Sequence, residues 1–208
     1  MNFFQRFFQL FPAFSSNSRP RASPELICGI GESRILEHGI SINNYPFEPS
    51  VVYPNRFLAP HEIHSVCWEA YPPMIRIADE VIFLHRNQKD SLQQFANAHA
   101  LPTFKPTYNW NRLLEPFLDT VITEQMDLRL TTFLMKHGIF QSEIDQIRKE
   151  VGPAMYAYNF DSMLWEWADL GLPDVLSAMR YTLKEADFAV FFAKSMELEL
   201  RTGSSSIT

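Results

Sequence analysis

Three side chains that can bind zinc lie close together in the sequence: His61, His64 and Cys67. Imidazole nitrogen and thiolate sulfur are ordinary zinc ligands, and on a helix this spacing would bring them to one face. The segment lacks the two histidines four apart of the helical zinc-protease motif, and it follows Pro60 and leads into a strand pattern. On a strand, His64 and Cys67 would point to opposite faces. We therefore expect a polar turn here and no metal site.

The motifs of nucleophilic and nucleotide-dependent catalysis are missing from the sequence. There is no Gly-x-Ser-x-Gly nucleophile elbow and no phosphate-binding loop ending in Gly-Lys-Ser or Gly-Lys-Thr. Gly29 and Gly31 could open a dinucleotide-binding turn, but the third glycine is not at the required offset. We therefore expect no catalytic residue and no cofactor. Because catalytic groups can assemble from distant positions, the alternative is a hydrolase or metal-dependent enzyme that uses His61, His64 or the acidic segment described next.

An acidic segment that contains tryptophans is the candidate partner-binding site. Its residues are Asp161, Trp165, Glu166, Asp169 and Asp174. On a helix, Asp161 and Trp165 share one face, and Glu166 and Asp169 share another. Paired carboxylates can perform acid–base chemistry or hold a hard cation, but no calcium-loop glycine pattern accompanies these. We interpret the segment as a solvated acidic edge, and we expect any function here to be recognition of a basic protein partner.

Residues 128–151 have the layout of a helix, a glycine turn and a second helix, which a helix-turn-helix DNA-binding motif shares. A DNA-reading second helix offers basic and amide groups to phosphates and bases. The predicted second helix has more acidic than basic residues, with Glu143, Asp145 and Glu150 against Arg148 and Lys149. We therefore expect an ordinary pair of antiparallel helices and no nucleic-acid partner.

The composition is that of a folded, acidic protein. Of its 208 residues, 46% are hydrophobic and 14% aromatic, which is enough to close a core and too much for a disordered chain. The net charge of −6 argues against a broad phosphate-binding surface. Two cysteines, Cys28 and Cys67, cannot form a disulfide scaffold, and no apolar run reaches the ~20 residues of a membrane span. These features predict a cytoplasmic protein.

Residues 1–24 form an arm that differs from the rest, because they contain three arginines and no acid. Seven large apolar residues recur there at steps that place them on one face of a short helix: Phe3, Phe4, Phe7, Phe8, Leu10, Phe11 and Phe14. The Ser-, Pro- and Arg-rich residues 15–24 predict a linker. We favour docking of this face on the protein itself or on a partner. The alternatives are a secretory signal, which lacks a good cleavage site, and membrane contact through residues 1–14, which only one charge would assist.

Period-two patterns predict a β-rich region with one helix over residues 25–102. Strands are predicted at residues 34–42, with a turn or bulge at Gly39, and at residues 51–53, 65–71, 74–77 and 81–84. The last two should form a hairpin that turns at residues 78–80. Asp90 is the predicted cap of a helix with Leu92, Phe95 and Ala96 on its inner side.

Helical spacing predicts a bundle over residues 107–201. Its first apolar stripe covers residues 110–134 and includes Leu128. The helical segment bends or restarts at Pro116 and ends at Gly138. Further helices are predicted at residues 143–151 with Ser142 as cap, from 155 to 167 beyond Gly152-Pro153, from 171–174 onward, and at 188–200. Residues 202–208 are the predicted mobile tail.

The sequence therefore predicts an α+β fold, in which a small antiparallel sheet with one packed helix precedes a bundle of four to five helices. The expected function is non-enzymatic protein–protein interaction in a bacterial-type cytoplasm, as a toxin-neutralising (immunity-type) or regulatory binder of a basic partner. The acidic balance and the many aromatic residues support this expectation, because tyrosine and tryptophan anchor interfaces. Besides the enzyme alternative, a membrane-peripheral adaptor anchored by residues 1–14 remains open.

Overall fold

The computed structural model describes residues 29–118, 122–161 and 169–202, with side chains in the second range described up to residue 158. The predicted arm and residues 203–208 of the predicted tail lie outside these ranges. The described residues form two three-stranded antiparallel sheets followed mainly by helices, so the fold class is α+β, as predicted. The strand region contains two small sheets where the sequence led us to expect one.

The first sheet consists of β1 (Glu32–Leu36), β2 (Gly39–Asn43) and β3 (Arg56–Leu58). The predicted turn near Gly39 is confirmed, since β1 and β2 form a hairpin there. A Cβ atom on Gly39 would lie 2.3 Å from the Phe57 ring and 2.4 Å from the Leu58 carbonyl oxygen. The close approach of β3 therefore requires glycine at this position.

The second sheet consists of β4 (Ser65–Cys67), β5 (Met74–Ile77) and β6 (Glu80–Phe83). The predicted β5–β6 hairpin is confirmed, and Ala78 takes the positive φ of 48° that its turn requires. All four residues of the apolar run 81–84 are buried. Val66 of β4 also pairs with the chain at Thr103, so the segment that follows the β-rich region extends this sheet.

The strand predicted at residues 51–53 is wrong, because these residues form a turn. Val52 is fully buried, so its apolar character contributes to the core without strand pairing. The Val51 N–H and the Ser50 hydroxyl donate to the Glu80 carboxylate, which fixes the turn. The flanking prolines, Pro49 and Pro54, have no N–H group for a strand ladder. The strand predicted at residues 65–71 likewise ends early, at Cys67.

The helix α1 (Lys89–Ala98) follows the second sheet and buries Leu92, Phe95 and Ala96, as predicted. The predicted cap is wrong by two residues, because Gln88 is the N-cap and Asp90 lies in the first turn. A negative charge in the first turn interacts favourably with the helix dipole, so the sequence signal is real although the position differs.

Five helices follow in the second half of the chain. They are α2 (Asn109–Leu114), α3 (Glu124–Lys136), α4 (Gln141–Asp161), α5 (Leu172–Thr182) and α6 (Glu185–Leu200). The predicted first stripe thus divides into α2 and α3. Pro116 lies in a 3-10 turn, Glu115–Phe117, directly after α2. The predicted helix end at Gly138 is confirmed, since this glycine has a φ of 75° after α3.

The predicted helix boundary at Gly152-Pro153 is wrong, because α4 continues through it, and Ser142 lies inside α4 and does not cap it. Gly152 is buried against Phe117, and a Cβ atom there would lie 3.2 Å from that ring. Val151, Ala154 and Met155 continue one buried face across the proline. This packing offsets the backbone hydrogen bond that the proline cannot donate.

One residue of the predicted first stripe is exposed, because Leu128 is 66% exposed. Its assignment to the apolar stripe is wrong, because α3 is covered on only part of its circumference. The two halves of the described chain share one hydrophobic core, in which the rings of Phe47 and Phe192 lie 6.4 Å apart. Within the described residues, no helix is long and apolar enough to cross a membrane.

Candidate functional site

The structure describes only part of the predicted acidic segment. Trp165 and Glu166 lie outside the described residues, and Asp161 is described only as the last backbone position of α4. The remaining two acids, Asp169 and Asp174, are described with their side chains. Their surroundings differ, because Asp169 is exposed and Asp174 is half-buried.

Asp169 is exposed, and its position is fixed by the neighbouring helix α2. Its Oδ1 atom accepts a hydrogen bond of 2.9 Å from Nδ2 of Asn111. Asn111 also packs against Gly171, where a Cβ atom would lie 3.2 Å from the same nitrogen. The carboxylate of Asp169 is therefore held in place while its second oxygen stays available to a partner.

Asp174 is half-buried and its carboxylate serves the fold. One oxygen accepts the Gly171 N–H at 2.8 Å and the other accepts the Tyr158 hydroxyl at 3.1 Å. It is the third residue of α5, so the bond to Gly171 caps that helix. Burial raises the pKa of Asp174, although both hydrogen bonds oppose this. Both oxygens thus have partners within the chain, whereas the sequence interpretation treated this acid as part of a solvated surface.

The sequence interpretation did not select two exposed tyrosines, Tyr71 and Tyr108. Tyr108, 38% exposed, precedes α2 in a left-handed conformation with a φ of 56°. Burial raises the pKa of Tyr108, and the negative charges of Cys67, Asp169, Glu199 and Glu69 raise it further. We name the surface formed by Glu69, Tyr71, Tyr108 and Asp169 the acidic edge.

Tyr71 lies in the loop between β4 and β5, two residues after Glu69, and is 68% exposed. The guanidinium carbon of Arg86 lies 5.2 Å from the centre of its ring, a cation–π contact. The charge of Arg86 also favours ionisation of Asp174 by lowering its pKa. Arg86 thus contacts the β4–β5 loop, and its charge acts on Asp174 in the first turn of α5.

The histidines and the cysteine of the zinc alternative do not converge. His61 is exposed in a 3-10 turn, Pro60–Glu62, and His64 is exposed before β4. Cys67 is a buried free thiol whose pKa is raised by burial. No group of three or more His, Cys, Asp or Glu side chains that could hold a metal ion occurs in the part of the chain that the structure describes.

A buried polar network joins the end of α6 to the start of α2. Asn109 is fully buried, and its Nδ2 donates to the Leu198 carbonyl oxygen at 2.7 Å, while its Oδ1 accepts from Nδ1 of His137 at 2.6 Å. Glu199, 5% exposed, accepts the Trp110 N–H at 3.2 Å. Burial raises the pKa of Glu199 to about 7 and lowers that of His137.

These hydrogen bonds connect α2 to α6 and to the end of α3, so the network stabilises the packing of the helices. Trp110 adds a bond from its indole N–H to the Ser195 carbonyl oxygen at 3.0 Å. The nearby Arg201 binds Glu143 and Glu197, which holds the end of α6 against α4. No sequence signal distinguishes Glu199 from the exposed Glu197, because their burial depends on how α2 packs on α6.

Comparisons with known proteins give no assignment. No family model, curated protein or solved structure matches this sequence significantly.

Proposed function

We propose that this protein is a non-enzymatic protein-binding protein whose acidic edge recognises a basic partner, as a toxin-neutralising (immunity-type) or regulatory binder. The observation that carries the proposal is that two exposed tyrosines stand next to exposed acids: Tyr108 directly precedes α2, whose Asn111 binds Asp169, and Tyr71 follows Glu69 by two residues. Tyrosine supplies a large amphipathic contact area at low entropic cost, which is why it is enriched in interfaces. The carboxylates supply the charge that selects a basic partner.

The charge distribution supports the same partner. The chain carries a net charge of −6, and an acidic surface on an acidic protein raises the rate at which basic proteins encounter it. The Asn111–Asp169 hydrogen bond and the cation–π contact of Tyr71 with Arg86 hold two members of the edge before binding. Such preorganisation reduces the entropy lost on association.

A cytoplasmic location in a bacterial-type cell is part of this proposal. The cysteine content supports the cytoplasmic location, since Cys67 is a buried free thiol and the sequence has only one other cysteine. Reducing compartments keep such thiols free.

The test is a charge reversal of the acidic edge, Glu69→Lys with Asp169→Lys, used as bait in native-cell lysate beside the wild-type protein. The matched control is Glu37→Lys with Asp79→Lys, which makes the same charge change at exposed hairpin turns. Asp79 and Glu69 lie beyond opposite ends of β5. A partner supports the proposal only if it is basic, is captured by the wild type and the control, and is lost from the edge variant.

Kinetics with the purified partner complete the test. The edge variant should associate about tenfold more slowly at low salt, and this difference should shrink as salt rises, because exposed charges are screened. Circular dichroism should show that the variant stays folded. Equal capture by the edge variant and the wild type would refute the assignment of this surface.

A further inference from the structure

A second surface with the opposite charge lies between α2 and α3. It is a groove of about 290 Å³, which we name the arginine groove. Its lining residues are Arg112, Glu115, Met126, Arg129, Leu130 and Phe133. None of them belongs to the acidic edge.

The groove combines an apolar floor with an adaptable rim. Leu130 is buried and Phe133 is half-buried, so they form a fixed apolar surface. Met126 is 37% exposed at the start of α3. The flexible thioether of a methionine lets a docking surface adapt to an apolar ligand.

The charged side chains make the groove basic. The guanidinium carbon of Arg112 lies 5.7 Å from the centre of the Phe133 ring, and its Nη1 lies 3.8 Å from Oε2 of Glu115, which is a loose ion pair. Arg129 is exposed and makes no ion pair or hydrogen bond within the described residues. Two arginines against one glutamate thus give a local positive charge on a chain whose net charge is −6.

We propose that the arginine groove docks an amphipathic segment of a partner protein that carries a carboxylate beside an apolar anchor. The anchor would lie on Leu130, Phe133 and Met126, and the carboxylate would pair with Arg129. Helices dock in grooves in this way, with apolar residues at i, i+3, i+4 and i+7 as anchors. This proposal is independent of the acidic edge, because it involves other residues and an acidic ligand.

The arm of this chain is a poorer occupant of the groove. Its seven large apolar residues would suit the floor, but residues 1–24 contain no acid. Docking would therefore add Arg6 to a groove that already has two arginines and a single carboxylate, that of Glu115. Charge complementarity favours an acidic segment from another protein.

The test uses two labelled helical peptides of about twelve residues with the same leucine and phenylalanine anchors. One peptide carries glutamate at the flanking positions and the other carries lysine, and fluorescence anisotropy measures binding to the full-length protein. The glutamate peptide should bind at least about tenfold more tightly, and Arg129→Glu should reverse the preference. Arg34→Glu, at an exposed position of β1, is the matched control and should leave the preference unchanged.

Three results would overturn the proposal, provided that circular dichroism shows each variant folded. The first is equal binding of the two peptides, or an unchanged preference in Arg129→Glu. The second is tighter binding of the glutamate peptide after Phe7→Ser with Phe8→Ser, which would mean that the arm occupies the groove. The third is a wild-type dimer that Arg129→Glu dissociates, which would mean that a second copy occupies it. None of these results depends on the acidic edge.

Discussion

The buried carboxyl group of Glu199 makes a sharp prediction about stability and pH. Glu199→Gln replaces it with a neutral amide of nearly the same shape, which can still accept the Trp110 N–H. The folded-state pKa of Glu199 is about 7, against 4.5 for an exposed glutamate. At about 1.4 kcal/mol per pKa unit, ionisation in the folded state lowers the free energy of unfolding by about 3 kcal/mol.

The sign follows from where the proton is held. Between pH 4.5 and 7 the folded protein keeps a proton on Glu199 that the unfolded chain has lost. This contribution to stability is full below pH 4.5 and is lost as the pH rises through 7. The glutamine variant has no such loss. The unfolding free energy of the variant minus that of the wild type should therefore be about 3 kcal/mol larger at pH 8 than at pH 4.5.

Urea unfolding of both proteins at the two pH values measures this difference. Other titrating groups affect both proteins and largely cancel, including His137, whose lowered pKa makes it destabilising as the pH falls. Glu185→Gln, an exposed change at the start of the same helix, is the control and should shift stability by a similar small amount at both pH values. If the difference in unfolding free energy between Glu199→Gln and the wild type changes by less than about 0.5 kcal/mol between pH 4.5 and pH 8, the assigned burial of this carboxyl is refuted.

Three further predictions concern the fold. Phe83→Ala should lower the free energy of unfolding by about 3–5 kcal/mol, because Phe83 is 1% exposed in the shared core; a loss below about 1 kcal/mol in urea unfolding would contradict its packing. Gly39→Ala should cost about 1–3 kcal/mol, since its Cβ would lie 2.4 Å from the Leu58 carbonyl oxygen, whereas an unchanged melting temperature would show that β3 can move away. Arg180 binds Glu48 through two nitrogens, with Nε at 2.8 and 2.9 Å from the carboxylate oxygens, and so joins α5 to the loop after β2. A double-mutant cycle with Arg180→Ala and Glu48→Ala should give a coupling of about 1–2 kcal/mol, and a coupling near zero would mean that this contact does not hold the two halves together.

The sequence by itself determined the features that depend on near neighbours. The alternation in Met74–Ile77 and the apolar run after it predicted the β5–β6 hairpin, and the spacing of Leu92, Phe95 and Ala96 predicted the inner face of α1. Gly39 and Gly138 marked turns because their backbone or their neighbours exclude a side chain. These signals are local, since the period of an element follows from which face it buries.

Tertiary structure decided where local signals compete or where distant residues meet. The Gly152-Pro153 pair predicted a break, but packing against Phe117 and the neighbouring helices keeps α4 continuous. Glu199 and Glu197 are the same residue type on one helix, and only the packing of α2 makes one buried and the other exposed. The burial of a charged group depends on what covers it, which sequence periodicity does not encode.

The candidate site shows the same division. Composition and the acidic segment predicted an acidic, aromatic binding surface, and Asp169 lies on the surface we propose. Tyr71 and Tyr108 stand in separate loops, and the sequence held no sign that Asn111, three residues after Tyr108, binds Asp169. Asp174, next along the same segment, turns inward to cap α5. Residue type sets which interactions a side chain can make, but its partners are chosen by contacts between residues far apart in the chain, and these form only when the two halves pack on one core.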